Sequence, residues 1–211
     1  MRSGNLNNYR QVNSLMTNTI AIENHHAADE RDVFGFWIYI LTDCILFSCL
    51  FATYVVLRKN IYGGLSVGDL TNLPYVLLET IVLLASSFTY GLTILALYRN
   101  ALNRMMWWLA ATFLLGFAFV GLEYTEFFNL VQEGHGWQGS AALSAFFTLV
   151  ATHGLHVAFG LLAMIVLMIQ LYLFGITSAM KRRLTYLGIF WAFLDIIWIF
   201  VFTIVYLMGA I

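Results

Sequence analysis

The sequence has few charged residues, a single proline and two cysteines, and each shortage excludes a class of protein. Asp, Glu, Lys and Arg make up 10% of its 211 residues, whereas soluble domains contain about 25%. So little charge cannot cover the surface of a soluble chain of this length. Ten basic residues against eleven acidic ones leave no basic excess for nucleic acid. The single proline and the scarcity of polar runs exclude a disordered or collagen-like chain.

The two cysteines, Cys44 and Cys49, lie in one apolar stretch. Five residues apart on a helix, they face different directions and cannot form a disulfide with each other. They support neither a zinc site nor a disulfide scaffold. We therefore expect both to be small, buried apolar side chains.

What the sequence has in abundance is long apolar runs, since 61% of its residues are hydrophobic and its mean hydropathy is +0.82. Five apolar segments cover residues 34–57, 74–98, 106–131, 141–174 and 185–210. Each exceeds the roughly 20 residues that a helix needs to cross about 30 Å of hydrocarbon. Only a helix satisfies its own backbone groups there. The sequence therefore predicts an all-α, polytopic membrane protein with a bundle of five transmembrane helices.

The predicted domain organisation is a flexible polar tail at residues 1–32 followed by the five-helix domain at residues 33–211. The tail lacks the apolar core of a secretory signal, and Met16 within it is an alternative start. The fourth apolar segment has 34 residues, which is more than one crossing requires. We expect this helix to tilt or to project beyond one face of the membrane.

The basic residues predict the orientation of the chain. None lies inside the five apolar segments, and eight of the ten fall on one side of the membrane if every segment crosses it. These eight are Arg2, Arg10, Arg31, Arg99, Arg104, Lys181, Arg182 and Arg183. The positive-inside rule then places the N-terminus in the cytoplasm and the C-terminus in the periplasm.

Seven ionisable side chains lie inside the apolar segments. They are Asp43, Glu79, Glu123, Glu126, His153, His156 and Asp195. An unpaired charge at membrane depth costs at least about 2.5–3.5 kcal/mol. Because no Lys or Arg accompanies them, these groups must be protonated, share a histidine or find a partner on another chain. We take all seven as candidates for buried polar contacts, lipid headgroup binding or proton handling.

Depths estimated at about 1.5 Å per residue put Asp43 level with Asp195, and Glu123 level with His153. The simplest hypothesis is that Glu–His hydrogen bonds hold the third and fourth helices together. Proton transfer or lipid headgroup binding is the second hypothesis. A metal or haem site at His153 and His156 is the third, although the Glu-x-x-His spacing of di-iron proteins is missing. We predict no catalytic, cofactor-binding or metal-binding residue in this chain.

Taken in order, the buried polar motifs resemble subunit III of the haem–copper respiratory oxidases. The segments that carry the resemblance are FWIYILTDCILF at 36–47, LLETIVLLASS at 77–87, GLEYTE at 121–126, THGLHV at 152–157 and WAFLDIIW at 191–198. The usual buried glutamate of the first segment is Asp43 here. Many family members have seven helices, and this chain resembles the five-helix form typical of bo-type ubiquinol oxidases of Gram-negative bacteria.

One position departs from the family pattern. A histidine usually follows the first tryptophan of the last motif, and here Ala192 follows Trp191. A role carried by that imidazole is therefore not transferred to this chain, and Asp195 lacks an expected neighbour.

The resemblance implies a non-catalytic accessory subunit of a proton-pumping quinol oxidase in the bacterial inner membrane. Haem, copper and dioxygen reduction would belong to subunit I, the main partner, with subunits II and IV also in the complex. The chain would bind phospholipid between its helices and support assembly and proton uptake. Two alternatives stay open, namely a self-sufficient proton-coupled transporter that uses the Glu and His residues, and an intramembrane haem protein that uses His153 or His156.

Overall fold

The computed structural model describes residues 31–60, 72–134 and 136–207, and over these ranges it contains helices and no strand. Five of the described helices are long and apolar enough to cross a membrane. They are α1 at Arg31–Leu57, α2 at Leu73–Tyr98, α3 at Leu102–Gln132, α4 at Ala141–Phe174 and α5 at Ser178–Val201, which continues as a π-helix at Phe202–Leu207. The predicted all-helical, multi-pass class is confirmed.

Three helices begin at least three residues before their apolar segments. Helix α1 starts three residues before residue 34, and α3 starts four residues before residue 106. Helix α5 starts seven residues before residue 185. The added turns carry the bases Arg31, Arg104, Lys181, Arg182 and Arg183. Apolar patterning marks only the part of a helix in hydrocarbon, whereas backbone bonding continues into the polar interface. The tail at residues 1–30, with Met16, and residues 208–210 of the last predicted segment lie outside the described residues.

The chain divides into two compact units, residues 1–45 and 46–211, and the boundary falls within α1. The described part of the first unit is the helical stretch that carries Asp43. The common depth of Asp43 and Asp195 stays a prediction, because the two residues belong to different units. The side chains of Cys44 and Cys49 are exposed, so their expected burial is wrong. Apolar surroundings in the sequence do not distinguish a side chain in the core from one that faces lipid.

Short turns make consecutive helices of the second unit antiparallel. Residues 99–101 join α2 to α3, and residues 175–177 join α4 to α5. The Lys181 ammonium donates to Asn100 Oδ1 at 3.0 Å, so these two turns, which have basic residues within or close to them, lie on the same side of the bundle. Which side of the membrane that is stays a prediction.

Helix α4 has the bounds predicted from the sequence. The Ser140 hydroxyl accepts a hydrogen bond from the Leu143 N–H at 3.1 Å and caps its first turn. It ends at Gly175, whose φ of 68° and ψ of −163° belong to a region that only glycine occupies readily. At about 1.5 Å per residue its 34 residues measure about 51 Å. Its tilt or projection in the membrane stays a prediction.

The indole of Trp191 on α5 fills a gap left by glycines on two other helices. A Cβ atom added at Gly116 of α3 would lie 2.8 Å from Trp191 Cη2, and one added at Gly160 of α4 would lie 3.0 Å from Trp191 Cζ3. The indole N–H donates to Ser86 Oγ of α2 at 3.0 Å. One buried side chain therefore connects α5 to three helices.

We expect Gly116→Ala to lower the free energy of unfolding by about 1–3 kcal/mol, because the new methyl group would overlap the Trp191 ring in a packed core. Gly121→Ala is the matched control on the same helix, since a Cβ atom there meets nothing within 4 Å. Titration of the purified protein with SDS, followed by tryptophan fluorescence, measures both. Equal stability of the two variants would contradict the packing described.

Candidate functional site

The buried polar groups of the second unit centre on His153, whose ring is fully enclosed in the chain. Its Nε2–H donates to the Leu194 carbonyl of α5 at 3.2 Å. Its ring lies 5.1 Å from that of Trp198 and 5.9 Å from that of Phe119, measured between centroids. Phe47 of α1 packs edge-on at 6.5 Å. His153 therefore links α4 to α5 inside an aromatic cage.

The second tryptophan of α5 extends this network to α2. Trp198 Nε1–H donates to Thr80 Oγ1 at 3.0 Å, while the Thr80 hydroxyl donates to the Val76 carbonyl of its own helix at 2.9 Å. Phe119 packs edge-on against the same indole at 4.7 Å. Trp191 and Trp198 both face a neighbouring helix, because each indole bonds to a hydroxyl of α2.

The predicted hydrogen bond between Glu123 and His153 is absent from the described structure. His153 Nε2 bonds to Leu194, and its Nδ1 has no hydrogen-bond partner. The Glu123 carboxyl instead lies against the backbone of Gly154, where a Cβ atom would come within 2.7 Å of Oε2. The hypothesis of a Glu123–His153 hydrogen bond is therefore wrong, although the Glu123 carboxyl lies beside the residue that follows His153.

The second histidine of the motif serves its own helix. His156 Nδ1–H donates to the Thr152 carbonyl at 2.7 Å, and its ring lies 5.2 Å from that of Phe47. The two histidines thus have different environments, one bonded across to α5 and one bonded back to α4. Their i, i+3 spacing does not create a shared ligand pair.

Three buried carboxyl groups form a cluster between α2 and α3. Glu79 is fully buried, and Glu123 and Glu126 are 4% and 8% exposed. All three carboxyl groups lie within electrostatic range of one another. The Tyr206 hydroxyl donates to Glu126 Oε2 at 2.9 Å. We call Glu79, Glu123 and Glu126 the carboxyl cluster.

Several members of this network were not singled out from the sequence. Tyr206, Tyr75, Thr80 and Ser86 are ordinary residues in apolar segments, and their partners lie on other helices. The i, i+7 spacing of Trp191 and Trp198 is the sequence signal that could have indicated a buried face on α5. Tyr206, which bonds to Glu126, lies in the π-helix at Phe202–Leu207, which no pattern in the sequence indicates.

Asp195 is buried on α5 but stands apart from the carboxyl cluster. The side chain of Ser87 on α2 lies near its carboxyl. One turn away, Ala192 is exposed and lines a cavity of about 390 Å³ between α2 and α5, together with Ser87, Tyr90 and Gly188. The alanine thus leaves open space where the family pattern has an imidazole.

The described residues contain no grouping of His, Cys, Asp or Glu side chains that could hold a metal ion. His153 is also a poor haem ligand, because Phe47, Phe119 and Trp198 surround its ring and Leu194 takes its Nε2. The geometry favours structural hydrogen bonding by the histidines, and proton or polar contacts by the acids.

Comparison with known proteins decides the family. The family model described as cytochrome c oxidase subunit III matches residues 7–210. The chain belongs to the oxidase subunit III family. It is 53% identical over 190 residues to cytochrome bo(3) ubiquinol oxidase subunit 3 of Pseudomonas aeruginosa, an alignment that covers 89% of this chain and 91% of that protein.

Two further subunit III relatives show how wide the similarity is. The protein of the same name from Buchnera aphidicola (subsp. Acyrthosiphon pisum) is 39% identical over 201 residues, or 95% of this chain and 98% of that protein. Cytochrome c oxidase subunit 3 of Bacillus sp. strain PS3 is 40% identical over 200 residues, which cover 91% and 97%. The predicted resemblance is confirmed over nearly the whole chain.

We expect Thr80→Val to destabilise this subunit III chain by about 1–2 kcal/mol, because the buried Trp198 N–H loses its acceptor in a low-dielectric interior. Thr203→Val is the matched control, since Thr203 is exposed and its hydroxyl bonds only locally, to the Ile199 carbonyl. The SDS titration gives the stability difference, and Trp198 fluorescence should shift in the first variant alone. A Thr80→Val protein as stable as the control would rule out this contribution.

Proposed function

We propose that this chain is the accessory, non-catalytic subunit III of a proton-pumping terminal ubiquinol oxidase in the inner membrane of a bacterium. The complex would oxidise ubiquinol and reduce dioxygen to water. The observation that carries the proposal is the 53% identity, over about nine-tenths of both chains, to a protein named as subunit 3 of a ubiquinol oxidase. Similarity over nearly the whole of both chains leaves little sequence for a different activity.

The partner that we propose for the main contact is subunit I, which would hold the haems and copper, and subunits II and IV would complete the assembly. The geometry of the site fits a structural role for its polar side chains better than a redox role. The polar side chains of the second unit connect its own helices, and no metal-binding group is found among the described residues. Buried acids without a neighbouring base inside the bundle suit a subunit that assists proton uptake.

Bound phospholipid is the second element of the proposal, and a groove between α3 and α4 supports it. The groove has a volume of about 530 Å³ and a mostly apolar wall. Its lining residues are Tyr124, Phe127, Phe128, Val131, Trp137, Ser144, Phe147, Thr148 and Ala151. Trp137 lies in the connection between the two helices, where aromatic residues meet lipid headgroups. We propose that an acyl chain occupies the groove.

We expect the tagged chain to co-purify from membranes with a haem-bearing partner and with quinol oxidase activity. The absorption spectrum should show a Soret band that belongs to the partner and disappears when this chain is separated from the complex. Purification of the chain alone, without any haem protein, would contradict the proposal. Proton-gradient-driven uptake by the lone chain in liposomes would instead favour the transporter alternative, which the comparisons do not support.

Ala151→Phe should reduce the phospholipid that co-purifies with the complex, because its ring would fill the groove that the acyl chain needs. Ala158→Phe is the control, since Ala158 is also exposed on α4 but does not line the groove. Mass spectrometry of lipid extracts, normalised to haem, gives the ratio. Equal lipid content in both variants and the parent would remove the groove from the proposal.

A further inference from the structure

The carboxyl cluster combines deep burial with unsatisfied acceptors. Both oxygens of Glu79 lack a hydrogen-bond partner in the described structure, as do Oε1 of Glu123 and Oε1 of Glu126. Glu79 is fully enclosed. Buried polar atoms are normally hydrogen-bonded, and three like charges cannot share a low-dielectric space without a counter-ion or protons. The cluster therefore calls for a ligand of positive charge.

The bases of α3 and α5 lie far from the cluster, and Arg58, which follows the end of α1, lies within electrostatic range of Tyr54. The base on α3, Arg104, is nineteen residues before Glu123, about 29 Å along the helix. The bases of α5 precede residue 184, near the opposite end of that helix from Tyr206. Three neutral groups face the cluster. They are the Tyr75 side chain of α2, the Tyr206 hydroxyl of the π-helix and the backbone of Gly154 on α4, next to His153.

The surroundings of the cluster are held firmly. The Tyr75 hydroxyl donates to the Leu122 carbonyl at 3.1 Å, which fixes α2 against the turn of α3 that carries Glu123. Tyr206 is fully buried and bonds to Glu126. The neighbouring Val205 carbonyl accepts from the Tyr54 hydroxyl of α1 at 3.4 Å. π-helical turns occur often at functional sites, and this one directs a phenol into the cluster.

A polar pocket connects the cluster to the helix ends. It has a volume of about 260 Å³ and is lined by Asn72, Tyr75, Glu126, Asn129, Leu130 and Glu133. Asn72 and Glu133 are the residues that flank the start of α2 and the end of α3, and both are exposed. The pocket is large and polar enough for several water molecules. Glu126 thus lines the pocket and lies within electrostatic range of Glu79 and Glu123.

We propose that Glu79, Glu123 and Glu126 form a proton-binding site that exchanges protons with water through this pocket. Protons fit better than a metal ion, because the described side chains form no metal-binding group. Glu126, at the inner end of the pocket, passes protons between water and the enclosed pair. The site goes beyond the proposed function, since it assigns protons to three named side chains and one route, whichever oxidase the chain assembles with.

Infrared spectroscopy of the purified complex tests the site through the carbonyl stretch of protonated carboxylic acids. At neutral pH, Glu79→Gln and Glu123→Gln should each remove part of that band, and the lost part should appear as a positive band in the wild-type-minus-variant difference spectrum. Glu133→Gln, at the exposed mouth, is the control and should leave the band intact. Because glutamine resembles protonated glutamic acid in shape and charge, the variants should assemble with wild-type yield. An unchanged band in both cluster variants would overturn the proposal.

The route is tested by transfer of the complex into D₂O. The band of the cluster should shift as its protons exchange, and Asn129→Leu, which makes the pocket wall apolar, should slow that shift without loss of the band. Exchange at the wild-type rate would overturn the route. A band that is missing at neutral pH, and that appears only after cations are chelated, would show a bound metal ion and overturn the site. Co-purification with a haem protein is independent of these results, so the two proposals fail separately.

Discussion

The arrangement of the second unit depends on two indole N–H groups of α5 that bond to hydroxyls of α2. Trp191 bonds to Ser86 and Trp198 to Thr80, each at 3.0 Å. In lipid the hydrophobic effect does not drive helices together, so association depends on close packing and polar contacts. These tryptophans supply both, since Trp191 also occupies the gap at Gly116. Helices α3 and α4 are positioned around them.

This packing explains why the polar groups separate into distinct environments. His153 sits in the aromatic layer formed around Trp198 and is committed to a backbone carbonyl. Glu123 is pressed against Gly154 and faces the other acids instead. The scaffold therefore keeps the imidazole away from the carboxyl groups. The acids are left to interact with one another and with tyrosine hydroxyls.

Much of the fold is predictable from the sequence, because a bilayer requires long apolar helices and their lengths can be read directly. The helix starts at Arg31 and Ser178 were missed, since they lie where apolar patterning ends. The burial of Glu123 and His153 was also predictable from their position in apolar segments. Their partners were not, because depth is set by the sequence along one helix whereas rotation is set by packing against another. The exposure of Cys44 and Cys49 was missed for the same reason.

The π-helix at Phe202–Leu207 changes the direction in which its side chains point around the helix axis. One extra residue per turn displaces the following side chains by about 100° relative to an uninterrupted α-helix. A helical wheel drawn through α5 and continued to residue 207 therefore assigns the wrong face to the final residues. Among homologues, a one-residue gap in an alignment at this point would mark a rotation of the residue at the position of Tyr206, even where every neighbouring residue is the same.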